Sequence, residues 1–225
     1  MSAVDQMVAW LNDPLNWTNP GGVWDLLVQH LEISGTAVLL ACLVAWPVGV
    51  LLGRRGRGGG MAVVLSNVTQ AIPVIALLTI LPLTAIGFGF KAVVLALAVF
   101  AVPPLLANAY LGLREVDPEV RDAARGMGLS GRQLLWQVEL PLAVPYLAAG
   151  LRTAAVQVVA TAGLAALVNG GGLGMIVSAG FGLGIAAGGG QILAGGLLIA
   201  ALALLVEALL ALMQRTVTPV ALRRA

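Results

Sequence analysis

The side chains whose types and spacing could do chemistry concentrate in one polar stretch, residues 117–141, between two long apolar runs. Its charged members are Asp117, Glu119, Arg121, Asp122, Arg125, Arg132 and Glu139. They form no nucleophile–base arrangement, and the chain has no G-x-x-x-x-G-K-[ST] phosphate loop. The one histidine has no second histidine, cysteine or acid at ligand spacing, so a metal site is not expected. The pattern favours recognition of a partner protein, and we expect neither catalysis nor a metal or cofactor on this chain.

Helix signals divide this stretch into two short amphipathic helices. Asp117-Pro118 predicts an N-cap with proline at the first helical position. Gly128 predicts the left-handed residue that ends this helix. The helix carries small apolar residues on one predicted face, namely Val120, Ala123, Ala124 and Met127. Ser130 and Gln133 have capping-box spacing and predict a second helix, which Leu140-Pro141 would close.

Three pieces of the stretch together resemble the EAA loop of ABC importer permeases. They are Asp122-Ala123-Ala124, then Gly128 after three residues, then Val138-Glu139-Leu140-Pro141 after nine more. The family pattern has glutamate at Asp122 and isoleucine at Val138, and both replacements keep charge or shape. The alternative is an ordinary polar loop between two membrane spans.

The resemblance implies a cytoplasmic coupling helix that docks in a cleft of an ATPase dimer. The partner ATPase would bind the ATP and Mg²⁺, and this chain would bind neither. The residues that the resemblance assigns to docking are Asp117, Glu119, Asp122, Ala123, Ala124, Gly128, Leu140 and Pro141.

The composition is that of an integral membrane protein. Of 225 residues, 60% are hydrophobic and 10% charged, whereas soluble domains carry about 25% charged residues. We predict an all-α polytopic membrane protein with five spans, and the resemblance implies the type I ABC importer permease fold. The predicted spans, each near the length that crosses a bilayer, are 33–52, 61–83, 92–113, 144–168 and 191–213. Residues 1–32 would form an extracytoplasmic segment, 33–213 the permease domain and 214–225 a cytoplasmic tail.

The basic residues set the orientation, because loops rich in lysine and arginine stay in the cytoplasm. An extracytoplasmic N-terminus places all twelve basic residues except Lys91 on the cytoplasmic side. The same orientation puts residues 117–141 in the cytoplasm, where an ATPase would be. We therefore predict a multi-pass protein of the bacterial plasma membrane with a cytoplasmic C-terminus. The partners expected are the lipid bilayer and other proteins, and no nucleic acid.

The N-terminal segment carries a series of tryptophans, Trp10, Trp17 and Trp24. Tryptophans next to a span are typical of a segment lying along the membrane interface. His30 is expected at the same interface. The alternative is an aromatic cage for a cationic ligand.

Polar residues and prolines inside the spans indicate a translocation pathway. The glycine-rich residues 170–190 predict a short helix or re-entrant element between flexible joints, the second of them at residues 188–190. The candidates for the pathway or its gate are Asn67, Gln70, Pro73, Asn108, Gln157, Gly172 and Gly174. The alternatives are interhelical hydrogen bonding for the polar residues and tight packing for the glycines. Arg152 and Glu207 would reach the interface or pair with a neighbour.

Among importer permeases the chain resembles most the osmoprotectant subfamily, which moves glycine betaine, choline and carnitine. The residues that carry this resemblance include Gln70-Ala71-Ile72-Pro73, Asn108-Ala109-Tyr110-Leu111-Gly112-Leu113, Ala149-Gly150-Leu151-Arg152-Thr153-Ala154 and Gly171-Gly172-Leu173-Gly174. Ala107 and Met175 depart from it, where relatives often have arginine and an acid. It implies a second permease, identical or paralogous, and an extracytoplasmic binding protein.

Two alternative functions stay open. A permease of a methionine- or other amino-acid-type importer would share the loop and the topology. An ion-coupled transporter or channel is less favoured, because such proteins usually carry acids or histidines in their central spans.

Overall fold

The computed structural model describes residues 2–56 and 71–218, and every regular element in these residues is a helix. The α-helices in chain order are Ala3–Asn12 (α1), Pro14–Thr18 (α2), Val23–Arg55 (α3), Val74–Ile80 (α4), Phe90–Arg114 (α5), Pro118–Gly126 (α6), Gly131–Leu134 (α7), Leu140–Ala162 (α8), Gly174–Gly182 (α9) and Ile185–Val217 (α10). Short 3₁₀ turns follow α4 and α8, at Leu81–Leu83 and Gly163–Val168. A π-helical turn, Leu135–Glu139, joins α7 to α8.

Four helical stretches of the described residues are long and apolar enough to cross a membrane. They are Pro14–Arg55, Phe90–Arg114, Gly131–Val168 and Ile185–Val217. They contain the predicted first, third, fourth and fifth spans. Residues 61–70 of the predicted second span lie outside the described residues, so the count of five spans stays a prediction.

The core is built around α5, which packs between α3 and α8. Glycines lie where these helices cross. A β-carbon at Gly49 would come within 2.6 Å of Ala109, and one at Gly150 within 2.7 Å of Asn108. Small residues at such crossings let two helix backbones approach closely, which maximises van der Waals contact where lipid removes the hydrophobic driving force. Buried alanines extend this contact along α3 and α5, among them Ala37, Ala41, Ala45, Ala96 and Ala101.

The glycine-rich segment contains the predicted short helix, α9, but the second predicted joint is wrong. Residues 188–190 lie inside α10 and are buried. A β-carbon at Gly188 would overlap the carbonyl oxygen of Gly180 on α9. The glycines there serve close packing, and the turn between α9 and α10 falls instead at Gly184, whose φ is +79°.

The N-terminal helix α1 packs across the start of α10. The side-chain amide of Gln6 donates to the Ala186 carbonyl and accepts from the Gly190 N–H, both at 3.3 Å. Trp17 and Trp24 lie with ring centroids 5.5 Å apart, and within the described chain they form the one ring pair in contact. The aromatic cage for a cationic ligand stays an alternative. The interfacial position of the segment stays a prediction.

Replacing Gly188 with alanine is expected to destabilise the protein, because the added methyl group must push α9 away from α10. Overpacking of this kind costs about 1–3 kcal/mol. Gly196→Ala on the same helix is the matched control, since nothing lies within 4 Å of its β-carbon position. The control should gain up to about 1 kcal/mol from helix propensity. The measurement is the melting temperature in detergent, and equal values for the two variants would contradict this packing.

Candidate functional site

The polar stretch folds into the two short helices that its sequence predicts. Asp117 caps α6, with its Oδ1 accepting from the Glu119 N–H at 2.8 Å. Gly128 takes a φ of +85°, which a residue with a side chain rarely adopts. Ser130 and Gln133 form the expected reciprocal capping box at the start of α7. The caps and the glycine bend are confirmed.

The prediction that Leu140-Pro141 ends the second helix is wrong. The chain continues from α7 through the π turn into α8 without a break, so residues 131–168 form one helical stretch. The Leu140 N–H bonds to the Leu135 carbonyl, five residues back. Proline at 141 has no N–H for the Gln137 carbonyl and its ring would crowd that oxygen, which favours this wider turn. The Leu-Pro pair therefore shapes the entry into α8.

The two alanines of the loop differ in exposure, because consecutive helical residues project about 100° apart. The apolar face that the spacing predicts is therefore only partly exposed. Ala124 is only 2% exposed and points into the protein, as does half-buried Arg121. Ala123 is exposed, and so are Val120 at 41% and Met127 at 75%. We call Val120, Ala123 and Met127 the outer face of α6. This face offers a small apolar strip to a partner.

Three charged residues that were not selected from the sequence as site residues meet behind the loop. We call Arg54, Arg121 and Glu139 the Glu139 cluster. Arg54 Nε lies 2.7 Å from one carboxylate oxygen of Glu139, and Arg121 Nε lies 3.1 Å from the other. The Glu139 side chain is 4% exposed, against 18% for Arg121 and 31% for Arg54. These contacts are ion pairs rather than well-aligned hydrogen bonds.

Each arginine of the cluster also binds a backbone carbonyl. Arg54 Nη2 donates to the Gly131 carbonyl on α7 at 2.8 Å. Arg121 Nη2 donates to the Leu113 carbonyl on α5. Removing one partner of such a buried pair typically costs about 3–5 kcal/mol, because an uncompensated charge remains. In the sequence, the only sign of the cluster is that Glu139 stands inside Val138-Glu139-Leu140-Pro141.

The candidate pathway residues are not gathered in one place by the described structure. Asn67 and Gln70 lie outside the described residues. Pro73 is exposed before α4, and Gln157 is half-buried on α8. Asn108 donates to the Pro104 carbonyl at 2.8 Å, one turn back on its own helix.

Asn108 also lies against α8, at the crossing with Gly150. This contact favours the packing interpretation for Asn108.

Gly172 lies at a buried histidine, so the predicted interfacial position of His30 is wrong. His30 is 0% exposed. Its Nε2 lies 2.9 Å from the Val159 carbonyl, and its Nδ1 accepts from the Leu173 N–H at 3.2 Å. The neutral tautomer with hydrogen on Nε2 satisfies both contacts.

Gly172 leaves room for this histidine, and Gly174 lets α9 approach the backbone of Gly163. A β-carbon at Gly172 would come within 3.1 Å of the His30 ring, and one at Gly174 would overlap the Gly163 carbonyl. A single histidine in the sequence gave no sign of this role.

The His30 contacts lie far from the Glu139 cluster. Both His30 and Arg54 belong to α3, and 24 residues of helix span about 36 Å. A cavity of about 680 Å³ opens at the His30 end. Its lining includes uncharged polar and aromatic side chains, namely Trp10, Asn16, Asn19, Gln29, Asn169 and Gln191.

Arg152 and Glu207 bind one another between α8 and α10. Arg152 Nε donates to Glu207 Oε1 at 2.7 Å, and its Nη1 reaches Gln214 Oε1 at 3.4 Å. The predicted pairing of Glu207 with a neighbour is confirmed. Both side chains are about one third exposed, so this pair contributes less than a buried one.

Comparison with known proteins identifies the class of protein to which this fold and loop belong. Residues 37–219 match the family described as "Binding-protein-dependent transport system inner membrane component". The chain therefore belongs to this family, whose members are the non-catalytic permease subunits of ABC importers and work with a separate ATPase. It is a multi-pass protein of a bacterial membrane. The resemblance seen in the EAA-like loop is confirmed.

Two curated relatives cover nearly the whole chain. The chain is 35% identical over 207 residues to the carnitine transport permease protein OpuCD of Listeria monocytogenes, covering 92% of each protein. It is 34% identical over 217 residues to the glycine betaine/carnitine/choline transport system permease protein OpuCB of Bacillus subtilis, covering 96% of this chain and 95% of that protein.

A solved structure is similar in fold. The MetNI methionine ABC transporter, in an inward-facing conformation, contains a chain that superimposes with a TM-score of 0.77. The match covers 92% of this chain and 100% of that chain at 23% identity. It confirms the permease fold and carries no information on substrate.

Replacing His30 with leucine is expected to destabilise the protein. The buried Leu173 N–H would lose its acceptor, and an unsatisfied buried donor costs about 1–3 kcal/mol. Gln29→Leu is the matched control, because Gln29 is exposed and water can replace its 3.3 Å contact with the Gly172 N–H. The measurement is thermal unfolding in detergent. A loss for Gln29→Leu as large as that for His30→Leu would contradict the role of the buried ring.

Proposed function

We propose that this chain is the permease subunit of an ATP-driven importer of quaternary-amine osmoprotectants, such as glycine betaine, choline and carnitine. The observation that carries the proposal is similarity over more than nine tenths of the chain to permeases whose names specify these substrates. A methionine-type importer is the second candidate, supported by the fold of the MetNI chain. At 23% identity that likeness supports the fold alone, so the osmoprotectant assignment is preferred.

The outer face of α6 is the surface proposed to dock on the ATPase. Val120, Ala123 and Met127 offer apolar and small side chains, and a small residue lets a helix backbone approach a groove closely. The exposed ends of the loop add Asp117, Glu119, Asp122 and Gly128. Ala124, Leu140 and Pro141 shape the loop from behind, since Ala124 is buried and Pro141 lies at the start of α8.

The proposed orientation has the loop and the C-terminus in the cytoplasm and the N-terminus outside. Two permease subunits, identical or paralogous, would enclose the pathway, and an extracytoplasmic binding protein would deliver the substrate. ATP and Mg²⁺ would act on the partner ATPase dimer. Closure of that dimer would draw the two coupling loops together and open the pathway outward.

The pathway residues proposed on this chain are uncharged. Gln157 is a half-buried amide on α8, and Asn67, Gln70 and Pro73 would extend the set along the second span. Asn108 on α5 would border the pathway while packing against Gly150. Gly172 and Gly174 would act at the opposite end, beside His30. Neutral amides can pass a zwitterion or a quaternary amine without holding it tightly. Such weak binding suits a permease whose affinity resides in a separate binding protein.

Substrate uptake tests the function directly. The permease is reconstituted in proteoliposomes with its ATPase and its binding protein, and labelled glycine betaine, choline, carnitine and methionine are compared. We expect ATP-dependent uptake of at least one quaternary amine and none of methionine. Methionine uptake alone would overturn the osmoprotectant assignment while leaving the family intact.

Ala123→Arg tests the docking surface. Because Ala123 is exposed on the outer face of α6, an arginine there should leave the fold intact and block the groove of the partner. We expect at least a tenfold loss of ATPase copurification and of uptake, with an unchanged melting temperature.

Ala124→Arg is the comparison variant for this test. A charged side chain at a position only 2% exposed should lower the melting temperature itself. Normal ATPase binding by Ala123→Arg would show that the outer face does not dock.

A further inference from the structure

We infer that the Glu139 cluster is the joint through which the coupling loop moves the membrane spans. Glu139, Arg54 and Arg121 are positioning residues in this reading, and they contact neither the ATPase nor the substrate. The inference rests on the proposed function, because it takes the outer face of α6 as the surface on which the ATPase acts.

One carboxylate ties together the elements on both sides of the loop. Glu139 stands at the entry to α8, Arg54 in the last turn of α3, and Arg121 in α6. Through their second contacts, Arg54 holds α7 at the Gly131 carbonyl and Arg121 holds α5 at the Leu113 carbonyl. Three long helices and both short helices therefore meet at a single buried charge.

The Glu139 cluster provides an ion pair that transmits a displacement of α6 to the spans in a defined direction. Within the described residues α6 makes two ion pairs, Asp122 with Arg125 inside the helix itself and Arg121 with Glu139. The first is exposed on both partners and stays within one helix turn. Ala124 adds apolar contact, which does not fix the direction of a displacement. A shift of α6 parallel to the bilayer is thus passed to α8 by Arg121 and Glu139, while the short links at 115–117 and 127–130 pass it to α5 and α7.

The geometry of the guanidinium group suits transmission. Each arginine uses Nε for the carboxylate and Nη2 for a carbonyl of a different element, so its planar fork holds two elements at a fixed separation. A lysine has one ammonium nitrogen and could not hold both at the same distances. The π turn that ends at Glu139 sets the direction of this side chain toward the two guanidinium groups. One residue more or fewer in the helix would rotate the following side chains by about 100°.

A purely structural ion pair makes a different prediction, and the chain offers one for comparison. Arg152 and Glu207 join only α8 and α10 and are about one third exposed. Loss of that pair would affect helix association, yet it lies on no route from α6 to the spans. Glu207→Gln is therefore the matched control for Glu139→Gln, since each change removes one carboxylate charge and keeps the side-chain shape.

The test uses the complete complex in proteoliposomes and measures substrate molecules imported per ATP hydrolysed. For Glu139→Gln we expect the ATPase to bind and hydrolyse ATP at no less than half the wild-type rate, while the transport ratio falls about tenfold. Hydrolysis should also lose its stimulation by the loaded binding protein. Glu207→Gln should keep both the ratio and the stimulation within twofold of wild type.

Arg54→Gln is the second variant, because it leaves the Arg121–Glu139 pair in place and removes only the link to α3 and α7. This variant should fold even where Glu139→Gln does not. Its number of substrate molecules imported per ATP hydrolysed should fall several-fold. Unchanged ratios in the variants that fold would overturn the inference. A loss of ATPase binding that parallels the loss of uptake would also overturn the inference. It would show that the Glu139 cluster only stabilises the docking surface.

A failure of this inference can be distinguished from a failure of the proposed function. The wild-type complex in the same vesicles shows which labelled substrate is carried, and the ratio is measured with that substrate. If the substrate is not a quaternary amine, the osmoprotectant assignment fails while the comparison of variants stands. Stimulation of hydrolysis by the binding protein gives a readout that does not depend on the label.

Discussion

The geometry of the helix ends around residues 117–141 depends on one buried carboxylate. A charge that is 4% exposed is stable only when other charges or donors replace its lost water. Glu139 obtains them from two arginines that come from helices far apart in the sequence, and each arginine is oriented in turn by a backbone carbonyl. The positions of α3, α5, α6 and α8 are therefore fixed relative to one another at this end. Without the carboxylate, two guanidinium groups would face each other.

The second constraint is that helix backbones must lie close together, and it applies along the apolar length of the long helices. Lipid tails are as apolar as leucine, so burial of large side chains gives little drive for helices to associate. Contact area must come from helices that lie close together. Glycines at the crossings of α3, α5, α8, α9 and α10 meet this requirement, with Gly49, Gly150 and Gly188 as examples. Buried alanines fill the same role along the α3–α5 contact.

Local signals in the sequence predicted local structure well. The Asp117 N-cap, the Gly128 bend and the Ser130 box each involve residues within four positions of one another, and all are present. The long apolar helices followed from hydropathy.

Long-range contacts were not predictable in this way. His30 contacts residues 129 and 143 positions away, and Arg54 reaches Gly131, 77 positions away. No spacing rule connects such positions. Ala123 and Ala124 show a second limit, because periodicity predicts a helical face but not which neighbour covers it.

The two main sites of the molecule are joined by the same pair of helices. Arg54 and Glu139 connect α3 to the entry of α8 at one end, and His30 binds the Val159 carbonyl of α8 at the other. The contacts are separated by about 36 Å along α3 and about 30 Å along α8, at 1.5 Å per residue.

Two antiparallel helices tied at both ends cannot slide past one another without breaking a buried polar contact. If the proposed docking on α6 displaces this end, the displacement would either bend the pair of helices or move its far end. At the far end, Gln29 accepts from the Gly172 N–H and His30 accepts from the Leu173 N–H. The buried histidine therefore belongs to the same mechanical unit as the Glu139 cluster, although no residue of one touches the other.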